Sequence, residues 1–168
     1  MKISKETLEQ LETIYSITLF DNNVNEVEPN KATEIYIGWE KANGVLINPV
    51  LKTIKAKKSE ITFEWVVSKL NADAIYKSFA EHFNKIVSKF GLYGYPTTYG
   101  IGVFVAVGFR NSINETKSQI TNVLNQMGVK YENEYSEAGW VFRYKISKAK
   151  DNINKIEEIL KDANNPGF

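Results

Sequence analysis

His82 is the most prominent candidate for acid–base or metal chemistry in this 168-residue chain. It is the only histidine, and histidine is the side chain whose ordinary pKa lies closest to neutral pH. It follows Ile75 by seven residues and adjoins Phe83, on the apolar face of a predicted helix. A histidine in such a place is usually a core or boundary residue. No second histidine is present to complete a metal site, and no Gly-x-Ser-x-Gly motif accompanies it. We therefore expect His82 to be structural.

Other familiar chemical motifs are also missing. The chain has no cysteine, which excludes disulfides, thiolate nucleophiles and cysteine-ligated metals. Gly100-Ile101-Gly102 begins a predicted strand and does not join a strand to a helix, so it does not predict a dinucleotide site. Glu132 and Glu134 share one face of a predicted strand and could bind a cation, but a solvated strand face explains them more simply. We expect no metal, no cofactor and no catalytic residue.

Glu64 and Arg143 carry the hypothesis of a small cofactor-free enzyme. Each is the charged residue inside an aromatic segment of the chain. A pocket that holds tyrosine, glutamate and arginine side chains with shifted pKa values would be a candidate active site. The simpler alternative is that both residues lie on the outward, polar face of a strand.

Two basic clusters suggest a nucleic-acid-binding protein. Their members are Lys52, Lys55, Lys57 and Lys58 in one cluster, and Arg143, Lys145 and Lys148 in the other. If the clusters joined into one surface with aromatic side chains nearby, they could contact a phosphate backbone. Against this, the net charge is only +1 and only two of the 21 basic residues are arginines, the usual residues for base recognition. Lysines that protect edge strands and keep the surface soluble are the alternative.

Residues 91–100 are rich in tyrosine and glycine, and we predict an exposed loop there. Tyrosine presents a large contact area at low entropic cost, and glycine lets a backbone adapt, so the combination is common in binding surfaces. Tyr93, Tyr95 and Tyr99 are the predicted partner-binding residues. A packed connector that covers the end of a sheet is the alternative.

Two aromatic segments organise the predicted fold. Residues 61–69 and 140–148 each alternate apolar and other side chains and then pass through Ser-Lys into a helical pattern. Asn71 is the predicted cap of the first of these helices. The similarity predicts an internal pseudo-repeat with halves at residues 33–90 and 100–162. Residues 101–110 are apolar throughout, which predicts a central strand covered on both faces.

The order of predicted elements is helix, several strands, helix, strand, helix, two strands and helix. This order favours an α+β fold with a mostly antiparallel, twisted sheet and helices packed mainly on one face. No low-complexity linker interrupts the chain, so we expect a single domain over residues 1–168.

These observations favour a non-enzymatic binding protein that acts on a protein partner, such as an adaptor or a small inhibitor. The predicted interface is the tyrosine/glycine segment with the adjoining sheet edge. A nucleic-acid-binding protein and a small enzyme are the alternatives. No apolar segment is long enough to span a bilayer and the amino terminus lacks the apolar run of a signal peptide, so we expect no membrane partner and a cytoplasmic location.

Overall fold

The computed structural model describes residues 2–42, 45–57, 59–97, 100–106, 112–137 and 141–164, without the side chains of residues 42, 45–51, 134–137 and 164. The chain divides into two compact units, Met1–Asn71 and Ala72–Phe168. The boundary falls inside a long helix, Phe63–Val87, so each unit contains part of that helix. The predicted single domain over residues 1–168 stays a prediction.

The first unit is built around a three-stranded antiparallel sheet. Its elements in chain order are β1 (Lys2–Ile3), α1 (Lys5–Ile14), β2 (Tyr15–Phe20), a 3-10 turn (Pro29–Lys31), β3 (Glu34–Ala42), β4 (Val45–Lys55), β5 (Glu60–Ile61) and the start of α2 (Phe63–Val87). The three-stranded sheet has the order β2-β3-β4, and β1 pairs with β5 in parallel. Ile35, Ile37 and Leu11 are fully buried at the centre of this unit's core.

In the sequence, Ser4 precedes a helical pattern as a predicted cap, and Pro49 divides a strand pattern into two predicted strands with an edge or a bulge between them; the cap and the bulge are confirmed. The side chain of Ser4 caps α1 by accepting a hydrogen bond of 3.1 Å from the backbone N–H of Thr7. Pro49 lies opposite Trp39, and the strand register shifts on both sides of that pair, as expected for a proline at a bulge. The strand nevertheless continues through Pro49, so residues 45–55 form one strand instead of the two that were predicted.

The prediction of a strand at residues 61–67 is wrong, because α2 already begins at Phe63. The side chain of Thr62 accepts a hydrogen bond of 3.2 Å from the backbone N–H of Trp65, which caps the helix nine residues before the predicted cap at Asn71. Apolar residues occupy most positions between 61 and 67, so they satisfy a helical pattern as well as an alternating one. The second aromatic segment does form a strand. The two segments therefore differ in structure, and the pseudo-repeat is not confirmed.

The second unit contains a four-stranded antiparallel sheet in the order β6-β7-β9-β8. Its elements after α2 are a 3-10 turn (Ser88–Phe90), β6 (Leu92–Pro96), β7 (Gly100–Val105), α3 (Ile113–Met127), β8 (Tyr131–Glu137), β9 (Val141–Ile146) and α4 (Lys150–Asn164). Antiparallel pairing and helices on one face confirm the predicted α+β class for this unit.

One face of this sheet is covered by three helices. Val103 and Phe142 are fully buried against Phe83 of α2, Leu124 of α3 and Ile156 of α4. The prediction that β7 is covered on both faces is wrong: the strand is central, but Phe104 on its other face is 39% exposed. The part of the predicted strand at residues 107–110 lies outside the described residues.

The predicted loop at residues 91–100 is also wrong, because half of it, Leu92–Pro96, is strand β6. The backbone N–H of Thr97 donates to the carbonyl of Gly100 at 2.9 Å and closes a hairpin between β6 and β7. Glycine serves close packing here: a Cβ at Gly94 would lie 3.1 Å from the Phe83 ring. Glycine therefore lets β6 approach α2, whereas the sequence argument had assigned it to loop flexibility.

Candidate binding face of the second unit

The sheet of the second unit has one face that the helices leave uncovered, and we call it the open face. Side chains alternate along a strand, and directly paired residues of antiparallel strands lie on the same side. Leu92 and Gly94 of β6 face the helices, so Tyr93 and Tyr95 face the other way. The described side chains of the open face are Tyr93, Tyr95, Phe104, Glu132, Val141, Arg143 and Lys145.

Three aromatic rings cluster on this face. The ring centroid of Tyr93 lies 4.8 Å from that of Phe104 and 6.3 Å from that of Tyr95. The centroids of Tyr95 and Phe104 are 6.0 Å apart. Tyr93 is 48% exposed and Phe104 is 39% exposed, while Tyr95 is half-buried. Large apolar side chains exposed as a group, and not singly, are typical of an interaction surface.

Tyr95 lies across the strand next to it. A Cβ at Gly102, its register partner on β7, would lie 2.4 Å from Tyr95 Cζ and 2.6 Å from its hydroxyl oxygen. The ring therefore occupies the space that a side chain at position 102 would fill. On the other side of Gly102, the register partner on β9 is Arg143, so the tyrosine ring points along this row of the sheet toward the arginine.

Charged residues border the aromatic cluster. Arg143 pairs in register with Gly102, and Lys145 pairs with Gly100; both side chains are exposed. Glu132 of β8 is the register partner of Lys145 on its other side. Among the described side chains, the open face thus passes from aromatic at β6 and β7 to cationic at β9 and acidic at β8.

The outer edge of β6 is closed to a further strand. The N–H of Thr97 donates to the carbonyl of Gly100, and the N–H of Ala106 donates to the carbonyl of Gly91. The odd-numbered residues of β6 are therefore the ones that bond to β7, and the backbone N–H and C=O of Gly94 point away from β7. The N–H of Gly94 donates to the side-chain oxygen of Asn84 on α2 at 2.8 Å. Pro96 has no N–H to offer. Two of the outward positions on this edge therefore lack a donor for strand addition.

A concavity of about 570 Å³ adjoins the cationic end of the open face. Its lining includes three lysines, Lys130, Lys145 and Lys148, together with Glu132 and Tyr131. Lys130 is paired with Asp151, and Lys145 lies opposite Glu132 in register. Lys148 is likewise paired with Asp73, so two of the three lysines in the lining are engaged by aspartates.

Lys148 serves a structural purpose within the second unit. Its Nζ lies 2.8 Å from a carboxylate oxygen of Asp73 and 5.0 Å from the centre of the Tyr76 ring. Burial lowers the pKa of the Lys148 ammonium below its usual value. The hydroxyl of Tyr76 donates to the carbonyl of Ile146 at 2.7 Å. These contacts tie the end of β9 to α2, and the predicted role of Lys148 in phosphate contact stays a prediction.

The described lysines of the predicted cluster in the first unit are not all on one face of the sheet. Lys52 and Lys55 point to opposite faces of β4, because they are three residues apart on a strand. Lys55 lies 3.7 Å from Glu34, Lys57 is exposed, and Lys58 lies outside the described residues. Tyr99, the third predicted contact tyrosine, also lies outside them.

Glu64 and Arg143, the residues of the enzyme hypothesis, belong to different units. Glu64 is exposed in the first turn of α2, in the first unit, and Arg143 is exposed on β9 of the second. His82 is half-buried in a shallow groove with Glu81, Lys85 and Leu160, and burial followed by the nearby Lys85 charge lowers its pKa. Among the described residues, no three His, Asp or Glu side chains come together as a metal site.

Two residues of the candidate site were missed in the sequence, Phe104 and Asn84. Phe104 follows Gly100 and Gly102 at alternate positions, so three consecutive places on one strand face carry two glycines and one exposed ring. Glycine has no side chain with which to cover a sheet face, so this pattern in the sequence was a signal of an open face. No sequence signal pointed to the bond between Asn84 and Gly94.

Comparison with known proteins finds no relative: no protein-family profile, no curated protein and no solved structure matches this chain. Among the described residues, no helix combines the length and apolar character needed to cross a membrane. The fold and the open face define an α+β chain with an uncovered aromatic and cationic sheet surface.

Proposed function

We propose that this chain is a non-enzymatic binding protein whose partner is another protein, and that the open face receives that partner. The observation that carries the proposal is the exposed cluster of Tyr93, Tyr95 and Phe104 beside Arg143 on one sheet face. Aromatic residues and arginine are enriched at protein interfaces and among their energetically dominant contacts. A role as an adaptor or a small inhibitor in the cytoplasm fits a cysteine-free chain.

The shape of β6 favours binding through the face over binding through the edge. Asn84 already occupies the outward N–H of Gly94, and Pro96 contributes no donor. A partner that added a strand there would have to displace Asn84 and would lose the ladder bond at Pro96. The proposed interface is therefore the flat face and not the adjoining edge that the sequence suggested.

A single-stranded nucleic acid is the second candidate, because aromatic rings and two cations occupy the same face. Bases can stack on exposed rings while cations contact phosphates. The position of Glu132 opposite Lys145 favours a protein, since a protein partner can present charges of either sign where a polyanion cannot.

Photo-crosslinking tests the proposal directly. Tyr93 is replaced by the photoreactive residue p-benzoylphenylalanine, and the full chain is irradiated in native cell lysate with and without nuclease. The matched control carries the same replacement at Lys77, which is exposed on α2. We expect a discrete protein adduct from position 93 that nuclease does not change and that position 77 does not give. Nuclease-sensitive adducts would support the nucleic-acid alternative, and equal labelling from both positions would refute a binding role for the open face.

A further inference from the structure

The arrangement of rows on the open face points to the chemistry of the partner. We infer that the face binds an extended acidic peptide segment in which one apolar side chain is followed at alternate positions by carboxylates. This inference rests on the proposed protein-binding function and adds a substrate class to it. Its basis is the order of three neighbouring rows across β6, β7 and β9.

The first row is apolar and provides the anchor position. Tyr93, Phe104 and Val141 are register partners across the three strands, and the two rings are the most exposed aromatic groups of the second unit's sheet among the described residues. An apolar side chain laid on this row would remove both rings from water. Such burial is the main source of affinity in well-packed interfaces.

In each of the next two rows, the residue on β9 is a cation. Arg143 is two residues along β9 from Val141, and Lys145 is two residues further. Alternate residues of a strand are about 7 Å apart, and alternate side chains of an extended peptide have the same spacing. A peptide that runs parallel to β9 and places its apolar anchor on the first row therefore brings its next two same-side residues over Arg143 and Lys145. Carboxylates at those two positions would complement both cations.

The rows also favour a peptide over a nucleic acid. Both cations lie on β9. On the side of β8, Glu132 is across from Lys145, and on the side of β6, the ring of Tyr95 covers Gly102 next to Arg143. Among the described side chains, the cationic strip is thus one strand wide. A single file of carboxylates fits it, whereas the phosphates of a flexible strand that strayed toward β8 would meet Glu132.

The experiment is selection from a displayed library of random linear peptides on the immobilised full chain, with oligothymidylate as the polyanion probe. Selection is repeated on Arg143→Glu/Lys145→Glu and, as a matched control, on Lys77→Glu/Lys117→Glu, which reverses two exposed helix lysines. Arg143→Gln/Lys145→Gln provides a milder variant if charge reversal lowers the yield of folded protein. Circular dichroism confirms folding of each variant before selection.

We expect the wild type and the helix control to enrich peptides with an apolar residue followed at alternate positions by Asp or Glu. The charge-reversed variant should enrich Lys or Arg at the same positions. The Gln variant should bind the wild-type peptides with roughly tenfold lower affinity. Peptides that bind the wild type, lose binding to Phe104→Ala and show no acidic preference would overturn this inference and leave the proposed function intact. No face-dependent enrichment, or tight binding of oligothymidylate to the same face, would overturn both.

Discussion

The ring of Tyr95 covers Gly102 on the open face, so closely that a Cβ at position 102 would lie 2.4 Å from Tyr95 Cζ. At Gly100, two residues earlier on β7, the same atom would lie 1.9 Å from the backbone carbonyl oxygen of Tyr144. The two glycines are therefore needed for different reasons. A tyrosine ring can rotate away, whereas the backbone of β9 is held by its pairing with β7.

Alanine at these two glycines should change the free energy of unfolding by different amounts. We expect Gly100→Ala to lower the free energy of unfolding by about 3 kcal/mol, because backbone atoms of paired strands must separate. Gly102→Ala should stay within about 1 kcal/mol of the wild type, because the clash is relieved by moving the Tyr95 ring and alanine is the better strand residue. Chemical denaturation measures both values, and near-ultraviolet circular dichroism reports the displaced tyrosine. Equal destabilisation by the two substitutions would contradict this account of the face.

Removal of the Asn84 side chain should open the edge of β6. Asn84→Ala leaves the N–H of Gly94 without its 2.8 Å partner, which we expect to cost about 1 kcal/mol of stability. The unpaired edge should also promote association between copies of the chain. Size-exclusion chromatography with light scattering measures that association as a function of concentration. Asn122→Ala, on the exposed side of α3, is the control and should remain unchanged; matching behaviour of the two variants would show that Asn84 does not guard the edge.

Acid should destabilise the second unit through His82. Burial holds the folded pKa of His82 below its ordinary value of 6.5, so the unfolded chain binds a proton at a higher pH than the folded chain does. Stability is therefore complete above pH 6.5 and falls as the pH drops from there toward the folded pKa. His82→Gln should flatten that part of the stability profile. Denaturation midpoints between about pH 7 and pH 5 measure the slope, and an unchanged slope in the variant would assign it to other groups.

The start of α2 can be tested with a pair of alanine substitutions. Thr62→Ala removes the side chain that accepts the Trp65 N–H, and we expect a loss of about 1 kcal/mol. Asn71→Ala, at the cap position that the sequence suggested, lies in the interior of the helix and is exposed. It should be neutral or slightly stabilising, because alanine has the higher helix propensity. The reverse order of effects would indicate that the helix begins at residue 71 after all.

The sequence predicted the fold class because that class depends on patterns longer than any single element. The capped helix after Ser4 and the alternating strand at residues 141–146 were both recognisable from their own residues. Residues 61–67 were not, because apolar side chains at nearly every position fit both a strand and a helix, and the Thr62 cap decides between them. The strand at residues 92–96 was missed because the glycines of residues 91–100 suggested a loop. Pairing with β7 and packing against Phe83 make it a strand.

The candidate site was predicted in part. Tyr93, Tyr95, Arg143 and Lys145 were singled out as members of two separate hypotheses, a tyrosine loop and a lysine cluster. Only the strand register brings them to one face of one sheet. The register of β7 with β9 depends on pairing between residues 37 to 45 positions apart, which a local sequence pattern does not specify.

The measurement that tests the central claim is the crosslinking yield from p-benzoylphenylalanine at position 93 in three backgrounds: otherwise unchanged, Phe104→Ala and Phe90→Ala. Phe104 and Phe90 are each 39% exposed, but Phe104 lies on the open face and Phe90 ends the 3-10 turn after α2. We predict that Phe104→Ala lowers the yield of the protein adduct roughly tenfold and that Phe90→Ala leaves it unchanged. An undiminished yield in Phe104→Ala, or an equal loss in both variants, would contradict the open face as the partner-binding surface.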